Sequence, residues 1–502
     1  MTSPLPPTRH WLALALLAMT QFVLVVDTAI VIIAAPSMES ELGFTPESLT
    51  WVANAYALAF GGLLLVGGRA GDILGRRRMF VWGLALFAVG SLAGALATAP
   101  LWLIIARAVQ GAGAAMVSPA ALALVMTLFT EQKARSKALG IWGSVAAAGA
   151  ATGYVLGGLL TQWFGWQSVF WINLPIVAVV VLLAPRLLPE AKDASHRSFD
   201  IAGAVTVTAG VSLVVYALFN AGTVGWATAQ TTGLFAAAAV LLVAFVVIES
   251  RSSQPLIPLR IFRIASLRNG NGLTFLTQAA IMPMFFLLTL YVQHVLGFTP
   301  LQAGLAQMPA ALCFALLGTH VGGLVSRIGY RIPATAGSLI AAAGLLWLAQ
   351  ADVGGDYFTD VIGPLTVTAI GAVLSVVALM IAATAEAPAD SAGLASGLVN
   401  VTMQIGGAIG LAVLGAVAVA ASSRSAGRGG DALSSLTDGV GAALTTGAGL
   451  AAATGVLAAV LLRKSRRTAT ESDDSGSALA ENDGAVAEPL TVPHGIGGRR
   501  EA

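Results

Sequence analysis

The sequence is poor in charge and in cysteine. Lys, Arg, Asp and Glu make up 10% of the 502 residues, whereas about a quarter of the residues in soluble domains are charged. This scarcity excludes an ordinary soluble protein and leaves no room for a large soluble domain with separate chemistry. The single cysteine, Cys313, excludes an intrachain disulfide, and because it lies inside an apolar run it does not indicate a redox compartment.

Signatures of catalysis are also missing. The sequence has no His/Glu cluster with the spacing of metal ligands, no nucleophile elbow and no paired acidic motif beside an apolar run. These absences argue against a multipass membrane enzyme, and we expect no metal and no organic cofactor. A receptor-like sensor is disfavoured as well, because we find no ligand domain or signalling module after the last apolar run.

Apolar residues dominate what is present. Hydrophobic residues account for 57% of the chain, and runs of about twenty apolar residues recur from Trp11 to Leu462. Such runs predict an all-α integral membrane protein with about fourteen transmembrane helices. The predicted spans are 11–35, 49–68, 79–99, 101–129, 138–161, 167–188, 200–220, 231–249, 270–293, 303–325, 332–350, 361–385, 396–420 and 440–462.

The basic residues predict the orientation of these spans. With the N-terminus in the cytoplasm, the cytoplasmic loops receive nearly all of the loop Lys and Arg, and the other side receives only Arg424 and Arg428. We therefore expect both termini in the cytoplasm, and we expect the first run to be a retained span because it has no small-residue cleavage site. Since the basic residues lie at the membrane boundary, the net charge of +2 is no evidence for nucleic-acid binding.

A weak internal repeat divides the chain. The stretch GRAGDILGRR, beginning at Gly68, returns in reduced form as GGLVSRIGYR, beginning at Gly322, each time after an even-numbered span. Repeats of this kind place the substrate site of secondary transporters near the bilayer midplane. We predict a six-helix bundle in 1–190, two additional transmembrane helices with linkers in 191–269, a second six-helix bundle in 270–462 and a disordered cytoplasmic tail in 463–502.

Six stretches carry a resemblance to a known family. GGRAGDILGRRRMF (67–80) is similar to the signature loop of the major facilitator superfamily, and VVDTAIVIIAAP (25–36) resembles the first-helix motif of its fourteen-span drug:proton antiporter family. Four more stretches resemble motifs of that family in the same order: LIIARAVQGAGAA (103–115), GAATGYVLGGLL (149–160), GWQSVFWINLPI (165–176) and SGLVNVTMQIGGAIG (396–410). The resemblance implies the major facilitator fold, two pseudo-symmetric six-helix bundles plus two extra central helices.

The same resemblance implies a function. It implies efflux of hydrophobic or amphiphilic drugs or antibiotics, driven by the proton-motive force through alternating access, which confers resistance. The expected partners are a small hydrophobic or cationic drug, protons and the lipid bilayer, with no nucleic acid and a monomeric chain. An exporter of the same fold for a metabolite, an amino acid or a siderophore is the alternative. The Ala- and Gly-rich composition, with Arg preferred to Lys, is typical of a high-GC bacterium, and we expect its cell membrane as the location.

Asp27 and Arg107 are the ionisable residues that lie deepest in the predicted spans. An ionised side chain in hydrocarbon costs at least about 2.5–3.5 kcal/mol, so it normally faces a bundle interior or a watery cavity. With a rise of about 1.5 Å per residue, Arg107 lies roughly 9 Å and Asp27 roughly 13 Å from the outer ends of their spans. We predict that Asp27 alternates between a charged and a protonated form beside Arg107, with Gln110 as a hydrogen-bond partner. A static ion pair joining helices one and four is the alternative.

Small residues form a second group of candidates. Gly149, Gly153 and Gly157 recur every fourth residue, which places them on one helical face that permits close backbone approach. The resemblance implies that they and Gly158 belong to the antiporter motif, a kinked helix that seals the path against leakage. Tyr154 stands where the family usually has proline. A generic packing face is the alternative.

The loop between spans two and three is a third candidate. The resemblance implies that it latches the cytoplasmic ends of neighbouring helices by ion pairs that form in one access state, through Gly68, Asp72, Gly75, Arg76 and Arg77. The alternative is that its arginines only follow the positive-inside rule, and we favour that alternative for Arg78. The rule does not require an aspartate, so for Asp72 we favour the latch.

A substrate cavity is predicted from large apolar and amide side chains. A single deep carboxylate suits a neutral or singly cationic amphiphile better than a dication, and flexible or aromatic side chains supply an adaptable lining. The candidates are Phe22, Trp51, Tyr56, Gln110, Asn400, Met403 and Gln404. For each aromatic residue a lipid-facing position is the alternative, and for His294 and His320 we favour an interfacial role over titration in the mechanism.

Overall fold

The computed structural model describes residues 7–129, 131–190, 200–252, 255, 259–387 and 392–462. These residues are helical and include no strand. The predicted tail, 463–502, lies outside them. The first half of the fold contains seven α-helices: α1 (Pro7–Leu42), α2 (Pro46–Leu74), α3 (Arg76–Ala95), α4 (Pro100–Leu128), α5 (Gln132–Phe164), α6 (Ser168–Trp171) and α7 (Asn173–Leu187).

Two helices separate this half from the second one. They are α8 (Ile201–Val224) and α9 (Ala229–Arg251). The second half contains α10 (Ala265–Leu290), α11 (Pro300–Ala306), α12 (Met308–Ile328), α13 (Arg331–Leu348), α14 (Ile362–Thr384), α15 (Ala392–Gly427) and α16 (Ala432–Leu461). A 3-10 turn, Leu259–Arg263, precedes α10, and π-helical turns at Tyr291–Val295 and Tyr357–Val361 follow α10 and precede α14.

The helices cover each of the fourteen predicted apolar runs. Of the described residues, eleven helical segments are long and apolar enough to cross a membrane, or twelve if the two parts of α2, which meet at a bend of 48°, form one span. Helix α8 holds a shorter apolar segment, Ala202–Leu218. The all-α membrane fold is therefore confirmed, whereas the number of fourteen crossings stays a prediction.

Two predicted spans are broken rather than continuous. The sixth run separates into α6 and α7 at Ile172, and the tenth separates into α11 and α12 at Gln307. Proline explains both breaks, because it has no N–H and its ring clashes with the carbonyl four residues earlier. Pro175 lies four residues after the end of α6, and Pro309 lies three residues after the end of α11.

Polar caps mark several helix starts. The Thr45 side chain accepts a hydrogen bond from the Ser48 N–H, with Pro46 in the first turn of α2. At the start of α16 the Asp431 carboxylate accepts the Ser434 N–H at 2.7 Å. Hydrogen bonds from the Ser434 side chain and backbone lower the pKa of Asp431, so this cap keeps its charge in more acidic solution than an ordinary aspartate does.

Contacts between helix ends define two faces of the molecule. The start of α1 meets the end of α4, where the His10 and Phe129 rings lie 6.1 Å apart. The end of α1 meets the end of α10, where Gln293 Nε2 donates to the Ile33 carbonyl at 2.9 Å. The start of α10 in turn lies by the end of α16, because Asn269 donates to the Leu461 carbonyl at 3.1 Å. The start of α1 and the end of α16 thus share one face, here called the terminal face, and the end of α1 lies at the opposite face.

The two halves meet at the opposite face. A glycine contact joins α5 to α11, because a Cβ on Gly158 would overlap the Pro300 carbonyl. Beside it the Leu301 N–H donates to Gln162 Oε1 at 3.3 Å. His294, in the turn after α10, lies 3.8 Å from a Glu39 carboxylate oxygen of α1. These contacts join the two halves at this face.

Small residues bring α2 and α4 into backbone contact. A Cβ on Gly67 would overlap the Ala115 carbonyl, and a Cβ on Gly111 would overlap the Tyr56 carbonyl. In a membrane, where lipid is as apolar as the side chains, close approach of this kind is a main source of helix association. It places the middle of α2 directly against the α4 turn that carries Arg107.

Candidate functional site

Asp27 and Arg107 form an ion pair in the interior of the first half. Arg107 Nη1 lies 2.6 Å from Asp27 Oδ2, and the two side chains are 1% and 0% exposed. Buried charges of this kind are tolerated when each is paired and hydrogen-bonded, and removing one partner of a buried pair costs about 3–5 kcal/mol. The two charges that the sequence places alone on different helices are therefore each other's partners.

Amide side chains complete the coordination of the pair. Gln110 accepts a hydrogen bond from Arg107 Nη1 at 2.9 Å and donates to Asp27 Oδ1 at 3.1 Å. Asn173, at the start of α7, donates to the same Asp27 oxygen at 2.8 Å. Ser91 of α3 accepts from both amides, at 2.8 Å from Gln110 and 3.3 Å from Asn173. Helices α1, α3, α4 and α7 thus contribute to one buried network.

Helix α2 holds the arginine from the other side. Arg107 Nε donates to the Val52 carbonyl at 3.0 Å. The guanidinium carbon lies 4.4 Å from the centre of the Tyr56 ring, which is a cation–π contact. Three of the five N–H groups of Arg107 are thereby used on Val52, Asp27 and Gln110.

A central cavity adjoins this network. It has about 600 Å³ of empty space, its open mouth included, and Arg107 forms part of its wall. Helices α1, α2 and α4 line it on one side, and α10 and α15 on the other, so it lies between the two halves. Its polar lining residues are Thr28, Asn54, Arg107, Gln278 and Gln404, and its other lining residues are Val31, Ile32, Ala53, Ala57, Met282, Phe286, Met403, Gly407, Ala408 and Leu411.

The predicted cavity residues fall into two groups. Met403 and Gln404 line the cavity. Gln110 and Tyr56 instead contact Arg107 within the network.

Three other candidates lie away from the cavity wall. Trp51 packs against α8, where its ring lies 6.2 Å from that of Tyr216. Phe22 faces α5 beside Gly149, and Asn400 is exposed and donates to the Ser396 carbonyl of its own helix. The direction of each side chain around its helix decides these positions, and that direction depends on how the helices pack.

Several polar residues at the site were not among the predicted candidates. Ser91 and Asn173 belong to the network, and Thr28, Asn54 and Gln278 belong to the cavity wall. Their common signal is a polar side chain inside an apolar run, the same signal that singles out Asp27. Because uncharged polar side chains are frequent in the spans, that signal alone does not select these five.

The predicted glycine face packs against α1. A Cβ on Gly149 would lie 3.3 Å from the Phe22 carbonyl, one on Gly153 would lie 2.7 Å from Ala29 Cβ, and one on Gly157 would lie 2.9 Å from Ile30 Cα. Gly158 points away from α1 towards α11 of the second half. Tyr154 stacks on Phe285 of α10 with ring centroids 5.8 Å apart. Helix α5 therefore lies between α1 and the second half.

The loop between α2 and α3 is held within the first half. Arg76 Nη2 lies 3.1 Å from Asp72 Oδ1, and Arg76 Nη1 donates to Thr127 of α4 at 2.9 Å. Arg77 donates to the Leu188 carbonyl after α7 at 3.2 Å.

Glycines shape the two ends of this loop. Gly75 adopts φ = 113°, a conformation that favours glycine, and so lets α3 follow α2 directly. Gly68 lies beside Pro119 of α4. In this conformation the loop joins the terminal-face ends of α2, α3, α4 and α7.

Chemically, the site places a buried carboxylate, paired with an arginine, next to a space for a ligand. The Asp27 carboxylate accepts three hydrogen bonds from Arg107, Gln110 and Asn173, and a proton on it removes the charge that attracts Arg107. Since Arg107 is also part of the cavity wall, a change at Asp27 alters the polar surface that a bound compound would meet.

Comparison with known proteins agrees with this architecture. The model of the family described as Major Facilitator Superfamily matches residues 17–411. The chain is 42% identical over 406 residues to "Cephamycin export protein CmcT" of Amycolatopsis lactamdurans, covering 80% of this chain and 84% of that protein. It is 36% identical over 482 residues to "Puromycin resistance protein pur8" of Streptomyces alboniger, covering 94% and 95%.

A solved structure shares the fold. The crystal structure of the POT family transporter PepTSo superposes with a TM-score of 0.67 at 16% identity, covering 91% of this chain and 98% of that one. The likeness shows that the two chains share a fold. With a family match over most of its length and relatives above 30% identity, this chain belongs to the Major Facilitator Superfamily.

Proposed function

We propose that this protein exports antibiotics or other hydrophobic and amphiphilic compounds across a bacterial cell membrane in exchange for protons, and thereby confers resistance. The observation that carries the proposal is the buried Asp27–Arg107 pair in the wall of a cavity between the two halves. The names of the cephamycin and puromycin relatives support the class of compound.

Coupling follows from the position of Arg107. When Asp27 is ionised, the guanidinium is held by a hydrogen bond of 2.6 Å. Protonation of Asp27 weakens that hold, because a charge-assisted bond is roughly twice as strong as a neutral one. Arg107 then becomes available to change its contacts in the cavity, so proton binding and compound binding influence each other's free energy. Protonation from outside is thereby coupled to release of the exported compound.

Alternating access requires that the closed side opens. The contacts at Gly158, Gln162 and His294 close the opposite face in this conformation. We assign the opposite face to the outside of the cell and the terminal face to the cytoplasm, as the placement of basic residues predicts. Export then needs α5 and α1 to separate from α10 and α11. The chain performs this cycle as a monomer with the proton as its coupling ion and no cofactor.

A cellular assay tests the proposal. Expressed in a bacterium that lacks its own efflux pumps, the protein is expected to lower accumulation of at least one member of a panel containing puromycin, a cephamycin and hydrophobic dyes. A protonophore should restore accumulation. Asp27→Asn should behave like the empty vector at equal membrane level, whereas Asp438→Asn, a matched change at an exposed carboxylate of α16, should behave like wild type.

Two results would contradict the proposal. One is unchanged accumulation of every compound in the panel. The other is lowered accumulation that a protonophore leaves intact, because export would then draw on a different source of energy.

A further inference from the structure

We propose that the central cavity selects an uncharged amphiphile through a carbonyl or other hydrogen-bond-accepting oxygen, and that Asn54 of α2 determines this preference. The inference rests on the proposed export function, since it names the class of compound that the cavity takes. The sequence predicts a neutral or singly cationic compound, and the cavity favours the neutral one of these two classes.

The first argument is an unsatisfied donor. The Asn54 side chain lines the cavity and is 1% exposed. Its Nδ2 has no hydrogen-bond partner among the described residues. A buried donor without a partner is costly in free energy, and most such groups in native proteins are satisfied. An oxygen of a bound compound in the cavity would accept this hydrogen bond and recover the lost free energy.

The second argument is the balance of charge. Among the described residues of the cavity wall, Arg107 is the only ionisable one, and Asp27 neutralises it at 2.6 Å. A cation in the cavity would face the guanidinium and would find no free carboxylate in the wall to pair with. An anion would have to compete with Asp27 for Arg107. An uncharged acceptor leaves the pair intact, so it avoids the penalty of a buried unpaired charge.

The third argument is the remaining lining. Gln278 and Gln404 add two amide groups from the second half, and Met282, Phe286 and Met403 add flexible or aromatic apolar surface. A mostly apolar wall with a few neutral polar groups is the usual form of a site for a small amphiphilic molecule. Asn54 lies on the first half, so a compound bound to it and to Gln278 or Gln404 contacts both halves.

Binding of three matched probes tests the proposal. The full-length protein in lipid nanodiscs is titrated at neutral pH with dansylphenylalanine, its methyl ester and dansylcadaverine, which share a fluorophore and are anionic, neutral and cationic. We expect the ester to bind at least about tenfold more tightly than either charged probe, because each charged probe would bury one unpaired charge. Gln350→Leu, which removes an exposed amide in the turn after α13, should leave all three values unchanged.

Two variants at one position sharpen the test. Asn54→Leu keeps a similar volume and removes the donor, so binding of the ester should weaken by about tenfold. Asn54→Asp adds a carboxylate that can pair with a cation, so dansylcadaverine, and no longer the ester, should bind most tightly of the three probes. Circular dichroism and size-exclusion profiles establish that each variant is folded, and the ranking of the three probes on the wild-type protein needs no variant.

The results of the binding experiment decide the inference independently of the export assay. Equal or tighter binding of a charged probe to the wild-type protein, binding of none of the three, or unchanged ester binding in Asn54→Leu would overturn the inference. Because binding is measured without a proton gradient, a neutral preference found together with absent proton-dependent efflux would overturn the proposed function and leave the cavity's selectivity standing.

Discussion

Asp27 is held by three donors that come from α4 and α7. Arg107, Gln110 and Asn173 all reach its carboxylate within 3.1 Å. Hydrogen bonds to a charged group are stronger than neutral ones, so all three donors help to fix the carboxylate in place. The two amides are the safer targets for mutation, because removing a neutral partner leaves no unpaired buried charge.

Asn173→Leu tests this positioning. The substitution removes the hydrogen bond of 2.8 Å to Asp27 Oδ1 and keeps a side chain of similar volume. With one donor fewer, the carboxylate is held less firmly beside Arg107, so proton-driven transport should slow by about three- to tenfold, which corresponds to a net hydrogen bond of about 0.7–1.4 kcal/mol. The measurement is the transport rate in vesicles at a fixed pH gradient and equal amounts of folded protein. A rate equal to that of the wild-type protein would contradict a role for this hydrogen bond.

At the residue scale the sequence predicts the charges better than their neutral partners. Asp27 and Arg107 stand out because ionised groups are rare in hydrocarbon. Asn54 and Asn173 do not stand out, because asparagine in a span is inexpensive enough to occur for packing reasons. Which asparagine faces the cavity depends on the rotation of its helix, and that rotation is set by contacts such as Gly111 against the Tyr56 carbonyl.

Helix α5 joins the two halves at the opposite face. It packs on α1 through Gly149, Gly153 and Gly157, and on α11 through Gly158. The spacing of the first three predicts one face, but the sequence does not show that the next residue, Gly158, serves the other half. Tyr154, which the sequence resemblance predicts at the position of a family proline, stacks on Phe285, so an aromatic contact joins α5 to the second half there.

Gly158→Ala tests the contact between α5 and α11. The added methyl group would overlap the Pro300 carbonyl, so the helices must move apart. When the conformation described here predominates, we expect the free energy of unfolding to fall by about 1–3 kcal/mol, as at other overpacked sites. We also expect protons to leak faster between the two halves.

A second glycine provides the matched control. Gly449→Ala, where nothing lies within 4 Å of the new Cβ on α16, should leave stability unchanged or raise it by up to about 1 kcal/mol because alanine favours helix. Thermal unfolding and the decay of a pH gradient in vesicles measure the two effects. Equal behaviour of the two variants would show that the Gly158 contact does not close the path.

At the level of elements, hydropathy predicts most of the helices and misses their breaks. A helix covers every predicted run because apolar runs of this length are stable only as helices in lipid. Pro175 and Pro309 lie just after two of the breaks. Proline alone does not predict a break, however, because Pro119 and Pro283 lie inside the continuous helices α4 and α10. The π-helical turns at Tyr291–Val295 and Tyr357–Val361 have no comparable local signal.

For the whole molecule, the orientation in the membrane decides the direction of transport. Both ends of the described chain, at α1 and α16, lie at the terminal face, and Arg76 and Arg77 lie at the same face. The positive-inside rule predicts that this face is the cytoplasmic one. Repeat motifs in the sequence predict two halves, but only the structure shows that they meet at the opposite face.

Single-cysteine labelling tests the orientation. In a Cys313→Ala background, Gly354→Cys places a thiol in the loop after α13 at the opposite face, and Ser326→Cys places one near the end of α12 at the terminal face. A membrane-impermeant maleimide should label Gly354→Cys in intact cells and Ser326→Cys only after permeabilisation. The reverse pattern would invert the orientation and turn the proposed exporter into an importer.

The central claim is that a proton on Asp27 drives export, and gradient-driven uptake into inside-out vesicles tests it most directly. The vesicle interior is acidified, and uptake of a compound from the cellular panel is followed for wild type and Asp27→Asn at equal amounts of folded protein. We expect the wild-type protein to concentrate the compound and Asp27→Asn to lose the gradient-dependent part. Uptake by Asp27→Asn that still follows the pH gradient at the wild-type rate would contradict the account and leave Asp27 and Arg107 as a static ion pair between α1 and α4.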